Sequence, residues 1–276
     1  MVLPSIAIVT PSYNQAKYLE NTIVSVLSQE YPRFEYIIMD GGSTDGSREI
    51  IQKYEARLSY WRSVADQGQA DAIFRGFEIG SGDILGWVNS DDVLMPGCLA
   101  RVGSWFASHP NEEWVVGGCI TIGEKGETLR NRFGLPIYNL GSRVNFRQLL
   151  FSGCPFNQPA SFWRRRAFFE TGGFDRSLQF CFDRDMYLRL AQRRISGNIG
   201  VILAMYRIHT ASKSSTIQDV QARENALLET RYGRDLVNPM IGRLLREYYR
   251  HRLIASRALL AFRSVCRQTG VPPLVS

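Results

Sequence analysis

Apolar residues arrive in short runs that end in small polar ones, and the alternation repeats through the first 120 or so residues. Ile6-Ala7-Ile8-Val9-Thr10 is a strand-length run that stops at Pro11-Ser12-Tyr13-Asn14. Tyr36-Ile37-Ile38-Met39 is a second, closed by Asp40-Gly41-Gly42-Ser43-Thr44-Asp45-Gly46. Ile84 to Val88 is a third, closed by Asn89-Ser90-Asp91-Asp92. Continuous apolar runs of this length suit parallel strands covered on both faces. Between them, Leu19, Ile23, Val26 and Leu27 recur at helical spacing. The pattern also predicts helices over Ser47 to Arg57 and from Asp66 to about Gly80, with a short strand near Tyr60 to Val64. Strands alternating with helices of about ten to fifteen residues predict a doubly wound, mostly parallel α/β sheet.

Further along, a helix over Gly97 to Ser108 is followed by a strand, Trp114 to Ile122, and a tight turn at Glu124-Lys125-Gly126-Glu127. Gln158 to Trp163 and Ile199 to Tyr206 read as strands, and Phe182 to Arg194 as a helix with Asp183 in its first turn. Two helical stretches close the chain. Asn131 to Phe156 has no clear period and is expected to form a long, partly mobile segment over the site that decides the acceptor.

Three strands thus deliver polar clusters to one sheet edge, where ligands of open parallel sheets bind. Asp91 and Asp92 are adjacent carboxylates that repel one another unless a cation lies beside them. A hard divalent ion suits that position, because it takes one or two carboxylates and leaves room for phosphate oxygens. Alone, the same four residues also fit an Asx turn capping the helix that follows Pro96.

Composition narrows the class. Apolar content of 45% and charged content of 21% are those of an ordinary globular protein. The five cysteines are scattered, with no Cys-x-x-Cys pair, which argues against a disulfide framework or zinc site and for a reducing compartment. No apolar run reaches membrane-span length and Met1-Val2-Leu3-Pro4 is no secretion signal, so the expected location is cytoplasmic. The net charge is +7, but Arg243 to Arg267 holds seven arginines against one acid, Glu247. An excess concentrated in the tail speaks against nucleic-acid binding by the main domain. On a helical wheel Ile241, Leu244, Tyr248, Ala255, Leu259 and Phe262 share one face, beside Arg243, Arg246, Arg250 and Arg257. Such a basic amphipathic helix fits peripheral contact with an anionic inner membrane face, or equally a terminal helix packed on the domain with its arginines in water.

Thr10-Pro11-Ser12-Tyr13-Asn14, Asp40 to Gly46, Asn89-Ser90-Asp91-Asp92, Gly172-Gly173-Phe174-Asp175 and Arg207-x-His209-x-x-Ser212 stand in the order of the family 2 glycosyltransferases. The chain resembles that family over about residues 5 to 215. The resemblance implies a GT-A fold: a single Rossmann-like nucleotide-binding α/β domain, residues 1–215, followed by a helical C-terminal extension, residues 216–276. It implies a divalent metal, Mn²⁺ or Mg²⁺, and inverting transfer from a nucleotide diphosphate sugar, a UDP-sugar being favoured, to a saccharide or lipid-linked acceptor. Such an enzyme would build cell-surface polysaccharide or glycolipid. By that resemblance Thr10, Pro11, Tyr13, Asp40, Asp66 and Ser90 meet the nucleotide, and Asp91 holds the metal. Asp92, Arg207, His209 and Lys213 serve the sugar and diphosphate. Asp183 is the expected catalytic base, aligned through Leu188-Arg189-Leu190, with Phe182 where the family carries glutamate and Asn89 where it carries a first aspartate. Asp183 and Asp185, two apart on a helix, point to nearly opposite sides, so only one serves. Asp45 is assigned to capping the next helix, and Asp71 fits a first-turn acid as well as a ligand. The alternative class is a nucleotide-sugar-binding protein without turnover. A nucleotidyltransferase is disfavoured, because no Gly-rich, lysine-bearing loop follows the first strand.

Overall fold

The computed structural model describes residues 2–233 and, beyond them, 240–242, 244–245 and 247–249. In chain order the first half runs β1 (Ile6–Ser12), α1 (Ala16–Leu27), β2 (Phe34–Asp40), α2 (Ser47–Lys53), β3 (Tyr60–Ser63), α3 (Gln69–Ile79), β4 (Ile84–Trp87), β5 (Val93–Leu94) and α4 (Cys98–Ser108). The second half runs β6 (Trp114–Ile122), β7 (Tyr138–Asn139), α5 (Phe146–Ser152), β8 (Ser161–Arg164), α6 (Arg165–Glu170), α7 (Phe182–Arg193), β9 (Gly197–Arg207), α8 (Lys213–Thr216) and α9 (Gln218–Gly233).

The strands form one sheet in the order β3-β2-β1-β4-β8-β6-β9-β5, with β7 paired on β6. The first four are parallel, β8 is antiparallel to both its neighbours, β6 and β9 are parallel, and β5 is antiparallel to β9. Alternation along β1 explains why the apolar runs are unbroken. Ile6 and Ile8 enter a core with Leu19, Ile23 and Val26 of α1 and with α4. Ala7 and Val9 enter the opposite core with Ile73 and Phe77 of α3 and with α7. Helix α3 lies directly on β1, since a Cβ at Gly76 would stand 2.6 Å from Val9 Cγ1.

Register then sets the site. Ser12 lies beside Asp40 and Val9 beside Trp87, so the polar clusters after β1, β2 and β4 emerge at the same edge. Asp45 ties two helix starts together, its carboxylate accepting from the Ala16 and Ser47 amides and the Ser47 hydroxyl.

Three expectations change. Asn131 to Phe156 is not structureless: it contains β7 and α5, the latter capped by Asn145 Oδ1 accepting from the Gln148 amide at 2.9 Å. Seven residues are too few to show a helical period. The expected helix to Arg57 stops at Lys53 and continues as a separate 3-10 turn, and the expected strand from Gln158 begins as a 3-10 turn to Ala160. The expected terminal helix falls largely outside the described residues. Ile241, Leu244 and Tyr248 are described and exposed.

Candidate active site

A cleft of about 660 Å³ opens at the shared edge, lined among others by Pro11, Ser12, Tyr13, Asp66, Gln69 and Ser90, with Asp91 and Lys213. Tyr13 is 64% exposed, so its ring is free to lie on a planar ligand. Ser12 is 4% exposed and its buried hydroxyl has no hydrogen-bond partner among the described residues. A buried orphan hydroxyl at a cleft wall is costly unless a ligand satisfies it. Asp66 accepts from the Gly68 amide at 2.7 Å, and burial raises its pKa. A Cβ at Gly41 would stand 3.0 Å from Asp66 Oδ2, so glycine there leaves that carboxylate its place.

Five expected residues stand behind the wall rather than in the cleft: Thr10, Asp40, Asp92, Arg207 and His209, the last 5% exposed. Thr10 is fully buried and shares a 3.0 Å hydrogen bond with the Tyr36 hydroxyl. Asp40 is 1% exposed, and its carboxylate accepts from the Gly42 and Ser43 amides and the Ser43 and Ser63 hydroxyls. It holds the turn after β2 in shape. Asp92 is fully buried, accepting from the Arg207 amide at 2.9 Å and from Asn89 Nδ2 at 3.3 Å. Burial first, and then the neighbouring Asp91 charge, push its pKa well above the carboxylate range. Arg207 donates through Nε to the Asp91 carbonyl and through Nη1 to the Gly123 and Glu124 carbonyls. Its guanidinium therefore ties the Asp91 turn to the loop after β6, 5.1 Å from the Tyr18 ring centroid. Each of these side chains is buried and hydrogen-bonded within the protein.

Asp91 remains partly open, and His209 Nε2 stands 3.0 Å from its Oδ2. Among the described residues no group of three or more His, Cys, Asp or Glu side chains forms a closed metal cage. One carboxylate beside one imidazole fits an ion that completes its shell with water and ligand phosphates. Lys213 Nζ donates to Gln69 Oε1 at 2.9 Å, Gln69 Nε2 donates to Asn89 Oδ1 at 2.7 Å, and Asn89 reaches Gln158 at 3.3 Å. This amide chain stitches α8, α3 and the β4 end across the cleft floor. Asparagine at 89, where the resemblance expects an acid, serves as both donor and acceptor in it.

A second cavity, about 480 Å³, is lined by α5, the start of α7 and α9, and contains Asp183. Burial raises the Asp183 carboxyl to about 6, the Lys213 charge partly opposing it. Lys213, in the cleft wall 5.5 Å from the Phe182 ring centroid, is itself lowered by burial and raised in part by Asp183. The two hollows thus meet electrostatically at Lys213. Phe182 packs on Trp87 and Phe174, where a glutamate would be buried without need. Asp185 points away into bonds with Arg189, Arg231 and the Tyr232 hydroxyl. Asp71 is likewise spent on Arg75 and Arg176: burial raises its pKa, but those partners bring it below the usual value.

Sequence reasoning missed Glu224. From α9 its carboxylate accepts the Gln179, Phe180 and Cys181 amides at 2.6 to 2.8 Å, capping the start of α7. Nothing local signals this, because the partners are more than forty residues apart. Arg184, bonded to Asn225 of α9 and to the Leu149 and Leu150 carbonyls of α5, closes the same corner.

A mostly parallel α/β sheet with a polar cleft at its carboxyl edge has the architecture of the GT-A fold. A model of glycosyl transferase family 2 matches residues 7–173, more than half of the chain, and the protein belongs to that family of glycosyltransferases. It is 26% identical over 249 residues to the PGL/p-HBAD biosynthesis glycosyltransferase of Mycobacterium bovis (strain BCG / Pasteur 1173P2), covering 88% of this chain and 92% of that protein. Three further relatives are matched over only 36%, 37% and 31% of their own length, so the chain spans about a third of each; the name of the first refers to teichuronic acid biosynthesis. Among solved structures, Staphylococcus aureus TarS 1-349 in complex with UDP-GlcNAc aligns at TM-score 0.62 and 15% identity, over 91% of this chain and 73% of that one. The Pyrobaculum calidifontis mannosyltransferase PcManGT, in complex with GDP-Man and Mn2+, aligns at TM-score 0.59 and 16% identity, over 96% and 81%. At these identities the likeness shows the fold.

Proposed function

We propose that this protein is an inverting, metal-dependent glycosyltransferase that moves a sugar from a nucleotide diphosphate sugar to an acceptor hydroxyl. Its role is in building cell-surface polysaccharide or glycolipid at the inner membrane face. The observation that carries the reading is the pairing of hollows: a cleft ending at Asp91, and beside it, across Lys213, a cavity with Asp183 poised near 6.

In this reading Tyr13 stacks on the base and Asp66 accepts from the base or ribose, while Pro11, Ser12 and Ser90 line their seat. UDP is the favoured nucleotide; UDP-GlcNAc and GDP-Man are bound by the two fold neighbours. Asp91, with His209 behind it, holds a divalent cation, Mn²⁺ or Mg²⁺, which when bound supplies positive charge to the leaving diphosphate. Lys213 adds a second positive charge from the cleft wall. Thr10, Asp40, Asp92 and Arg207 act one layer back, holding those groups in place. Asp183 takes the proton from the acceptor hydroxyl as its oxygen attacks the anomeric carbon, and the bond to the diphosphate oxygen breaks on the opposite face. A positioned base of this kind contributes about 10² to 10⁴ in rate. Residues 1–215 carry this chemistry, and the extension from 216 buttresses it through Glu224.

The test is calorimetry of nucleoside diphosphates with and without Mn²⁺ on wild type and Asp91→Ala, followed by sugar transfer or donor hydrolysis with Asp183→Asn. Metal-dependent binding lost in the first variant and turnover lost in the second support the reading. Binding without turnover in the wild type means a nucleotide-sugar-binding protein. A folded protein that binds no nucleotide rejects both.

A further inference from the structure

The segment after β6 is the most exposed part of the described chain near the cleft. Residues 124–128 and 130–137 are all exposed, and the apolar side chains Phe133, Leu135 and Ile137 stand 71%, 38% and 41% open. They lie on an arm folded back on itself: Ile122 bridges Thr128 and Arg130 bridges Pro136, both antiparallel. The tip satisfies its own backbone. Asn131 Oδ1 accepts from the Phe133 and Leu135 amides at 2.9 and 3.2 Å, and the Asn131 amide donates to the Leu135 carbonyl at 2.9 Å. Such a tip can leave bulk water without stranding backbone polar groups.

Charge is divided along the arm: its root carries Glu124, Lys125 and Glu127, with Glu124 paired to Lys17, whereas the tip, residues 128–137, carries Arg130 and Arg132 and no acid. At the tip Arg130 donates to the Gly134 carbonyl and the Arg132 guanidinium lies 4.7 Å from the Phe133 ring centroid, so neither has a carboxylate partner among the described residues. An aromatic tip between unpaired arginines is complementary to a surface that is anionic outside and apolar beneath. The root of the arm is fixed: Arg207 holds the Gly123 and Glu124 carbonyls with the same side chain that holds the Asp91 carbonyl. The arm therefore projects from the rim of the cleft.

We propose that this arm is a membrane-docking element for an anionic bilayer, with Phe133 and Leu135 entering the headgroup layer and Arg130 and Arg132 on lipid phosphates. Docking by the arm is independent of the tail arginines and stations the cleft rim at the lipid surface. Exposed apolar side chains beside arginines without carboxylate partners, on a tip whose backbone is satisfied, complement an anionic lipid layer, charged at its surface and apolar beneath.

The test is co-sedimentation of the full chain with phosphatidylcholine vesicles, with and without phosphatidylglycerol, at low and high salt. Binding to the anionic vesicles, weakened by salt, is expected. Phe133→Asp with Leu135→Asp is expected to weaken partitioning about tenfold or more, and Arg130→Gln with Arg132→Gln to do so comparably on anionic vesicles. Nucleotide affinity serves as the folding control, since none of the four residues lines the cleft. Wild-type binding left unchanged by both double variants overturns the proposal and returns any contact to residues 243–267. So does a wild type that ignores anionic vesicles. Variants that change the oligomeric state in sedimentation, with vesicle binding intact, overturn it in favour of a second copy.

Discussion

The cleft and the Asp183 cavity treat carboxylates in opposite ways. Around the cleft, Asp40, Asp71 and Asp92 are all buried and all satisfied, by amides, hydroxyls, arginines or an asparagine. In the cavity Asp183 accepts only the neighbouring Arg184 amide in the described contacts, and no cation pairs with it directly. Burial therefore leaves it raised to about 6 rather than held down. The difference teaches where chemistry is kept. Arginine partners bring Asp71 below its usual value despite burial, Asp92 is raised by burial and the Asp91 charge, and Asp183, with one amide donor, is raised to a value that suits the base of the proposed mechanism.

The sharpest break is Asp183→Asn. Transfer is expected to fall about 10² to 10⁴, with nucleotide affinity in calorimetry unchanged, because the residue lies in the cavity and not in the cleft. Removing the carboxylate two residues on should invert the pattern. Asp185→Ala leaves Arg189 and Arg231 without their buried partner, and urea unfolding is expected to show a loss of about 3–5 kcal/mol.

pH gives a smaller, signed version of the contrast. Transfer by an Asp183 base is expected to fall tenfold per unit below about 6, as the carboxyl takes up its proton. For stability the sign is opposite to that of a salt-bridged acid. The folded pKa lies above the unfolded value, so the group binds more protons folded, and its contribution is lost as pH rises from about 4 through 6. Asp183→Asn should remove that decline, leaving the fold about 1–3 kcal/mol more stable at pH 7 than the wild type in urea titrations. The smallest change tests the buttress. Glu224→Gln replaces a charged acceptor of three amides with a neutral one, and a cost of about 1–2 kcal/mol is expected. Turnover should drop severalfold with nucleotide affinity intact; a loss of nucleotide binding instead would mean that α9 supports the cleft as well.

Much of the first half was legible because its signals are local. Unbroken apolar runs gave β1, β2 and β4, and period-two burial on two faces accounts for them. That Asp183 and Asp185 face different surroundings was legible from helical spacing, since two residues on a helix diverge by about 200°, but the preference for Asp183 came from the family resemblance through Leu188-Arg189-Leu190. The second half was less legible. Helix α5 is seven residues long and β5 two, shorter than any period that could reveal them.

What the sequence determined by itself is the sheet, its polar edge and the family, because period, turn residues and motif order are properties of neighbours along the chain. Only the tertiary structure decided which charged groups are free. Asp40, Asp92 and Arg207 are chemically as able to meet a diphosphate sugar as Asp66, Asp91 and Lys213. They differ in burial: packing covers Asp40, Asp92 and Arg207 and leaves Asp66, Asp91 and Lys213 partly open to the cleft. Glu224 belongs to the same lesson, since its partners are forty-odd residues away and only the packing of α9 on α7 brings them together.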